Sequence, residues 1–565
     1  MHHPPPHSPA APALSGRRAG PAVPRSYGYI FPLAGILLLL ASCIQVSSHR
    51  IFWFDELCTY YPATDPSLLH MLRGQADLIN SAPPVYGLLI WSWAHVFGGS
   101  ELSLRLATSL GFASALLVLF RLLRGSFGTF PAGFATLTWF TASTMIMLQN
   151  FEARSYGLFV VELTLVATAY HALLTAPVVT RRITAAVIAT SALFILTHYL
   201  ALFYGSALIA AALAHEWLTG RRAWRRVLVI PLGYLAIVPW LPIYFRHTEF
   251  SRPHGWIRET YLPDLLAGLN LGVPALGLVG LTLAAGWAAT TLLATRSASR
   301  SSASPPLVPA GGEAASGAAG GAPLLCLACA LAGVPILMWV FSRLSTPIFN
   351  ERYYFASGMA WPILLAAGAF ALDRRAARLR HPLARQLPRL LQTAALLFLG
   401  GYFLNYTVGY EDPVAPALAS PPDALTDANT HATRSLKELP IVVESPYTYL
   451  PRFYYNAQAH APQPNREVYL LDWASATDPQ ATRSAANGYQ IAAALKRQYP
   501  AFTIEDSAAF LARTNEFFIL PADGFRWFAN RIMNNPNFQT RLIATPNGQT
   551  FIYVVRAPAP APATH

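Results

Sequence analysis

Long apolar runs separated by short polar segments occupy the chain up to about residue 410. A helix needs roughly 20 apolar residues to cross the hydrocarbon core of a bilayer, and eleven runs come near that length. They are residues 27–47, 103–123, 128–148, 156–176, 184–198, 200–217, 227–244, 264–294, 323–342, 354–372 and 388–408. The pattern predicts an α-helical polytopic membrane protein with about eleven transmembrane helices.

A twelfth apolar stretch, residues 82–98, is short and opens with two prolines. We expect it to form a helix that lies in the outer membrane interface or dips into it. On this interpretation it belongs to a long outer loop, residues 48–102, between the first two spans.

The distribution of arginines predicts which side of the membrane each loop faces. With a cytoplasmic N-terminus, the inner segments carry nineteen arginines, against nine in the outer segments before residue 410. Cytoplasmic loops of membrane proteins are enriched in Lys and Arg. The sequence therefore predicts a multi-pass membrane protein with a cytoplasmic N-terminus. Residues 1–26, rich in Pro and Ala, would form a disordered cytoplasmic tail.

The pattern changes after residue 409, where Pro, Asn, Asp and Gln become frequent. Short apolar segments at 440–445, 466–472 and 516–522 are strand candidates, with helical stretches between them. Asn547-Gly548 between two apolar runs predicts a β-hairpin. We therefore predict a transmembrane domain over 27–409 and a small extracytoplasmic α/β domain over 410–565.

Composition excludes several function classes. Only 12% of the 565 residues are charged, about half the share usual in soluble domains, and the mean hydropathy is +0.36. The net charge of +13 comes from short basic clusters between apolar runs, which favours membrane orientation over nucleic-acid binding. Cys326 and Cys329 have CxxC spacing but lie in an apolar run, where thiols mostly serve packing. Neither a GxGxxG nor a Walker pattern marks a nucleotide site.

The first outer loop begins with IFWFDELCTYY, in which Asp55 and Glu56 are flanked by aromatic residues. Carboxylates in a partly dry, aromatic setting suit general-base catalysis. The alternative is that they cap a short interfacial helix, since acidic residues favour helix N-termini.

Other ionisable residues stand at predicted junctions between outer loops and spans. Arg105 suits a phosphate contact or simple snorkelling to the interface. Glu152 and Arg154 either serve a site or pair with each other, and Arg352 with Tyr353 begins a late span. The topology brings Asp55, Arg105, Arg154, His198 and Arg352 to one membrane face. Such a group suits an anionic lipid headgroup, because charges at membrane depth are costly and are usually functional.

These motifs together resemble the C-type glycosyltransferase superfamily over about residues 30–410. The resemblance is strongest to a bacterial group with protein O-mannosyltransferases, lipid A aminoarabinose transferases and lipopolysaccharide-core galacturonosyltransferases. The motifs that carry it are Asp55-Glu56, Pro83-Pro84-Val85-Tyr86, Glu101 with Arg105, Glu152-Ala-Arg154-Ser-Tyr156, Thr197-His198-Tyr199 and Arg352-Tyr353.

The resemblance implies inverting transfer of a sugar from a polyprenyl-phosphate donor to a lipid, glycan or protein acceptor on the outer face. It implies that Asp55, with Glu56, is catalytic, Asp55 as the general base. Arg105, Arg154 and Arg352 would bind the donor phosphate. The supporting residues would be Glu152, Tyr86, Tyr156, His198 and Tyr353. Some relatives need a divalent metal, and no cage for one is evident beyond the carboxylates.

Two other functions remain open from the sequence. A transporter or flippase of lipid-linked sugars would carry carboxylates near the membrane midplane and some internal repeat symmetry, and the sequence offers neither. A non-catalytic envelope assembly protein would use the C-terminal domain for docking.

Overall fold

The computed structural model describes a helical body followed by a mixed α/β domain. The described residues are 28–220, 225–254, 257–269, 279–280, 283, 286–287, 313–379, 381–412, 424–426, 433–435, 438–458, 466–477, 483–521, 527–544 and 550–557. The tail predicted over 1–26 lies outside them. The predicted fold class, an α-helical membrane protein with a small C-terminal α/β domain, is confirmed.

The first part of the helical body contains the outer loop and the spans around it. Its helices are α1 (Ile30–Ser47), α2 (Phe54–Ala63), α3 (Leu68–Ala76), α4 (Pro84–Phe97), α5 (Glu101–Phe127), α6 (Thr129–Ala142), α7 (Thr144–Asn150), α8 (Tyr156–Thr175), α9 (Arg181–Thr197) and α10 (Ala201–Leu218). Helices α2 to α4 form the folded part of the predicted outer loop.

The second part begins with α11 (Val229–Tyr234) and ends with a long helix. After α11 and a 3-10 turn at Leu235–Trp240, the described helices are α12 (Leu241–His254), α13 (Leu262–Gly268), α14 (Glu313–Ala332), α15 (Val334–Leu344), α16 (Glu351–Tyr354), α17 (Ala360–Ala376) and α18 (Pro382–Val408).

Eight helical segments in the described part of the chain are long and apolar enough to cross a membrane, and each matches a predicted span. They are Ile30–Ser47, Glu101–Phe127, Tyr156–Thr175, Ala201–Leu218, Val229–Glu249, Gly321–Leu344, Glu351–Ala376 and Pro382–Val408. The run 128–148 is broken at Ser143 into α6 and α7, because extended Ser143 caps α7 by accepting from the Ile146 N–H. The run 184–198 forms the 17-residue helix α9, and most of 264–294 lies outside the described residues.

Helix α4, which occupies most of residues 82–98, is shorter than a transmembrane helix. Its 14 residues extend only about 21 Å, less than the hydrocarbon thickness. Its last residues, Val96 and Phe97, are exposed. The helix is therefore too short to cross a bilayer, and its placement at the outer membrane interface stays a prediction.

Close packing of α5 against α8 fixes the start of α8. A Cβ at Gly157 would lie 2.0 Å from the carbonyl oxygen of Thr108, so only glycine fits there. The Thr108 hydroxyl also donates a 2.8 Å hydrogen bond to the carbonyl oxygen of Arg154. The loop before α8 is thereby fastened to α5.

The C-terminal domain is built on a six-stranded sheet with the order β5-β4-β3-β6-β8-β7. Strands β3 (Ile441–Val443), β4 (Glu467–Leu471), β5 (Ile504–Asp506) and β6 (Glu516–Leu520) are parallel, while β7 (Phe538–Ala544) and β8 (Thr550–Arg556) form an antiparallel hairpin. A separate ribbon pairs β1 (Ala424–Thr426) with β2 (Thr433–Ser435). The three predicted strands and the hairpin are confirmed; its Asn547-Gly548 turn lies outside the described residues.

Five helices accompany this sheet. They are α19 (Pro446–Gln458), α20 (Trp473–Ala476), α21 (Arg483–Gln498), α22 (Ser507–Arg513) and α23 (Trp527–Met533). Helix α19 lies against α2 of the first outer loop, since Tyr454 packs on Tyr60 at 4.9 Å between ring centroids and Tyr455 accepts the Phe52 N–H. The α/β domain therefore sits directly on the loop that carries Asp55.

Candidate active site

Asp55 and Glu56 lie in the first turn of α2, directly after the extended residue Trp53. Acidic residues are favoured there because the helix N-terminus carries partial positive charge. The two side chains nevertheless have different surroundings. Asp55 is partly exposed, with 21% of its side-chain surface accessible, whereas Glu56 is fully buried.

Glu56 joins three separate segments through its carboxylate. It accepts hydrogen bonds from Nε and Nη2 of Arg105 at 2.8 and 2.9 Å, and from the Ala153 N–H at 2.8 Å. Burial acts to raise the pKa of Glu56, but the ion pair with Arg105 outweighs it and keeps the pKa below its usual range. Glu56 thus joins α2, α5 and the second outer loop, and the catalytic role predicted for it stays a prediction.

Arg105 is engaged entirely by groups of the protein. Its side chain is fully buried, and besides Glu56 it donates to the carbonyl oxygens of Arg50 and Ile51. All three guanidinium nitrogens are therefore already used inside the protein. The geometry favours a structural role for Arg105 over contact with a donor phosphate, because a phosphate could reach it only by breaking these bonds.

Glu152 pairs with Arg50 and not with Arg154. Nη2 of Arg50 donates to the Glu152 carboxylate at 3.0 Å, and both side chains are at most 5% exposed. Burial raises the pKa of Glu152 and the charge of Arg50 opposes the rise. Sequence reasoning missed Arg50; its position two residues before the loop aromatics was the available signal. The pair ties the end of α1 to the second outer loop.

Arg154 and Arg352 converge on Asp55. Nη1 of Arg352 lies 3.1 Å from Oδ2 of Asp55, and Nη2 of Arg154 lies 3.9 Å from the same oxygen. Arg154 also donates to the backbone oxygen of Asp55 at 3.1 Å. The two arginine side chains retain 19% and 25% of their surface. Residues from three distant segments thus form one partly open cluster of two cations and one anion.

Aromatic side chains surround the cluster. The Arg352 guanidinium lies 5.5 Å from the centroid of the Trp53 ring, in cation–π contact. His198 lies next to Tyr156 and Tyr353, with centroid distances of 6.4 and 6.1 Å. Tyr86 is buried close to Arg154, and burial raises the pKa of its hydroxyl while that charge lowers it. Tyr86, Tyr156, His198 and Tyr353 therefore lie around the charged groups, and their supporting role stays a prediction.

The cluster fits an anion better than a divalent metal. Across the described residues no group of three or more His, Cys, Asp or Glu side chains is arranged to hold a metal ion. The carboxylate of Asp55 is engaged by two guanidiniums, and Oε2 of Glu152 is the buried carboxylate oxygen left without a partner nearby. A cation at this position would be repelled by the positive charges of Arg50, Arg154 and Arg352.

Chemically, the cluster offers two adjacent guanidiniums that match the oxygens of a phosphate and one carboxylate that can accept a proton. It lies at the ends of helices long enough to cross a membrane. An anionic headgroup with an apolar tail is the ligand whose two halves match these two surroundings.

No family model matches this sequence, and no curated protein matches it. Solved structures do. The crystal structure of ArnT from Cupriavidus metallidurans bound to undecaprenyl phosphate is similar over 94% of this chain and 98% of that chain, with a TM-score of 0.54 and 13% identity. Its apo state gives a TM-score of 0.51 with the same coverage and identity.

A more distant similarity links the chain to the Archaeoglobus fulgidus oligosaccharyltransferase tethered with an acceptor peptide. That similarity covers 93% of this chain and 74% of the other, at 13% identity and a TM-score of 0.44. The fold similarity to ArnT agrees with the predicted resemblance to C-type glycosyltransferases.

Proposed function

We propose that this chain, whose fold is that of the C-type membrane glycosyltransferases, transfers a sugar from a polyprenyl-phosphate donor to an acceptor on the extracytoplasmic face. The observation that carries the proposal is the Asp55 carboxylate between Arg154 and Arg352. The structure of ArnT, which has a similar fold, contains bound undecaprenyl phosphate. Its phosphate headgroup suits the arginine cluster of this chain, and its apolar tail suits the surrounding helices.

Donor binding on this proposal is an exchange of anions. Asp55 occupies the two guanidiniums in the absence of a ligand. A donor phosphodiester carries one negative charge, as Asp55 does, but its oxygens can accept hydrogen bonds from both guanidiniums, and it competes for the same nitrogens. As Arg154 and Arg352 turn to the phosphate, the carboxylate of Asp55 loses its partners and becomes available to an acceptor hydroxyl. The enzyme is therefore activated by its own donor.

The transfer step needs only these groups. Asp55 takes the proton of the acceptor hydroxyl as its oxygen forms a bond to C1 of the sugar. The bond from C1 to the phosphate oxygen breaks, and its electron pair leaves with the polyprenyl phosphate. Arg154 and Arg352 stabilise the charge that develops on the leaving group. Attack opposite to the leaving phosphate inverts the configuration at C1.

Sidedness and domain boundaries belong to the same proposal. We infer that the N-terminus is cytoplasmic, that the domain over 27–409 carries the reaction, and that the domain over 410–565 is periplasmic in a bacterial inner membrane. Cysteine labelling in intact cells checks this: Ser81→Cys and Ser345→Cys, at exposed positions of the segments that follow Asp55 and precede Arg352, should both react with a membrane-impermeant maleimide. Reaction of only one of them would separate Asp55 from Arg352 and remove the site.

Asp55→Asn tests the enzymatic role directly. An enzyme should lose turnover while the variant still binds undecaprenyl phosphate, because both arginines remain. Mass spectrometry of glycans, lipid A and envelope proteins from a deletion strain, complemented with wild type or Asp55→Asn, provides the readout. Full complementation by Asp55→Asn would favour a transporter or an assembly protein and contradict the proposal. Asp264→Asn, in the exposed pair with Arg258, is the matched control.

A further inference from the structure

The C-terminal domain reaches the active site through the first turn of α19. The Tyr447 ring contacts the ring of Phe54, the residue before Asp55, at 4.4 Å between centroids and an interplanar angle of 53°. Phe54 is buried, whereas Tyr447 is half-buried. This aromatic contact places a residue of the α/β domain next to the proposed general base.

Tyr447 is oriented from its own domain. Asn487 of α21 hydrogen-bonds to the Tyr447 side chain. The adjacent Gly488 allows this approach, because a Cβ there would lie 2.4 Å from Cγ of Pro446. Helix α21 therefore rests on the start of α19 and fixes the position of Tyr447.

The Tyr447 ring lies beside the reacting groups, because it contacts Phe54, the residue directly before Asp55. Burial raises the pKa of Tyr447, the negative charge of Asp55 adds to the rise, and the positive charge of Arg352 opposes it. Both members of the central ion pair thus act on this hydroxyl. A phenol in this place remains a neutral hydrogen-bonding group at neutral pH.

The chemistry of this surface differs from that of the phosphate cluster. The first turn of α19 reads Pro446-Tyr-Thr-Tyr449 and contains no charged side chain. An aromatic ring beside hydroxyl and amide groups suits a sugar ring, whose C–H face packs on the aromatic and whose hydroxyls hydrogen-bond to the polar groups. The first turn of α19 itself therefore adds no counter-charge for a phosphate or a charged peptide.

We propose that Tyr447, positioned by Asn487, forms an acceptor subsite that holds a neutral pyranose ring and presents one of its hydroxyls to Asp55. This inference rests on the proposed function and names its acceptor class as a sugar-bearing molecule. It also gives the C-terminal domain a role in acceptor specificity. Tyr447 is a positioning residue, since the proton passes to Asp55.

The test uses the full chain in nanodiscs that contain undecaprenyl phosphate, with methyl β-D-glucopyranoside and methyl α-D-mannopyranoside as probes. Saturation-transfer NMR should detect at least one glycoside on the wild type. Tyr447→Phe keeps the ring contact with Phe54 and removes the hydroxyl, so we expect binding to weaken about fivefold, the value of one net hydrogen bond. Tyr553→Phe, which removes a hydroxyl bonded to Glu516 in β6, should leave glycoside binding unchanged.

Several outcomes would overturn the inference. The first is that the wild type binds neither glycoside, and the second is that Tyr447→Phe binds the glycosides as tightly as the wild type does. The third is that N-acetylserinamide, and not the glycosides, gives a signal that depends on Tyr447. Undecaprenyl phosphate binding is measured on the same samples and should be equal in wild type and Tyr447→Phe. A wild type that fails to bind this lipid contradicts the proposed function instead, so the two failures are distinguishable.

Discussion

The buried carboxylate of Glu56 accepts a 2.8 Å hydrogen bond from the backbone N–H of Ala153, 97 residues later in the chain. Each partner is adjacent in sequence to a residue of the candidate site, Asp55 on one side and Arg154 on the other. The bond therefore sets the distance between a carboxylate and a guanidinium on separate loops. Arg105 completes the arrangement by holding Glu56 from α5.

Glu56→Gln should destabilise the protein, because it leaves the Arg105 guanidinium buried without its counter-charge. Breaking one partner of a buried pair costs about 3–5 kcal/mol, and turnover should fall with the displacement of Asp55. Thermal unfolding in nanodiscs measures the first effect. Glu505→Gln, in the more exposed pair with Arg513, should cost less than about 1 kcal/mol. Equal stability of Glu56→Gln and wild type would refute the anchoring role.

Asp55→Asn should bind undecaprenyl phosphate more tightly than the wild type does. The substitution removes the anion that occupies Arg154 and Arg352, and a partly exposed pair of this kind has a strength of up to about 1 kcal/mol, equivalent to about fivefold in affinity. Titration of the lipid in nanodiscs gives the dissociation constant. Weaker binding by the variant would mean that Asp55 does not compete with phosphate.

Arg352→Lys should weaken phosphate binding about tenfold, although the charge is retained. Lysine cannot form the two-pronged contact of a guanidinium with phosphate oxygens, and it loses the planar stacking on Trp53. The same lipid titration measures the effect. Arg343→Lys is the matched control, because Arg343 also stacks on an aromatic ring, that of Tyr261, but contacts neither Asp55 nor Arg154.

Much of the fold follows from the length of the apolar runs, and part of the site follows from topology. Asp55, Arg154 and Arg352 were predictable because each stands where an outer loop meets a helix, and one sidedness brings all three together. The length of an apolar run does not show whether the helix inside it is broken. The division of residues 128–148 into two helices at Ser143 was therefore not predicted.

Side-chain pairing was the least predictable part of the site. Glu152 and Arg154 are two residues apart, which made a local pair plausible, yet Arg50 pairs with Glu152 across 102 residues. Such choices depend on which groups tertiary packing buries together. The contact between Tyr447 and Phe54 is of the same kind, since no pattern in the sequence announces which surface of the α/β domain rests on the outer loop.

Asp77 fastens the C-terminal domain to the transmembrane domain. Its carboxylate accepts hydrogen bonds from Arg497 and Gln498 at the end of α21 and from Arg246 of α12. Burial acts to raise the pKa of Asp77. The hydrogen bonds and the charges of the two arginines together outweigh burial, so the pKa lies below its usual range. One side chain thus joins the outer loop, a membrane helix and the α/β domain.

Asp77→Asn should loosen the α/β domain from the outer loop, seen as faster amide hydrogen exchange in α19 and α21. Acid should also loosen this contact, because protonation removes the charge of Asp77. Since folding lowers the pKa of Asp77, its stabilising effect is complete above the ordinary Asp pKa of about 3.9 and declines as the pH falls below that value. Exchange in Asp77→Asn should therefore depend less on pH in that range. Glu505→Gln, whose pair with Arg513 lies within the α/β domain, should leave α19 protected; exposure of α19 by both variants would contradict the role of Asp77.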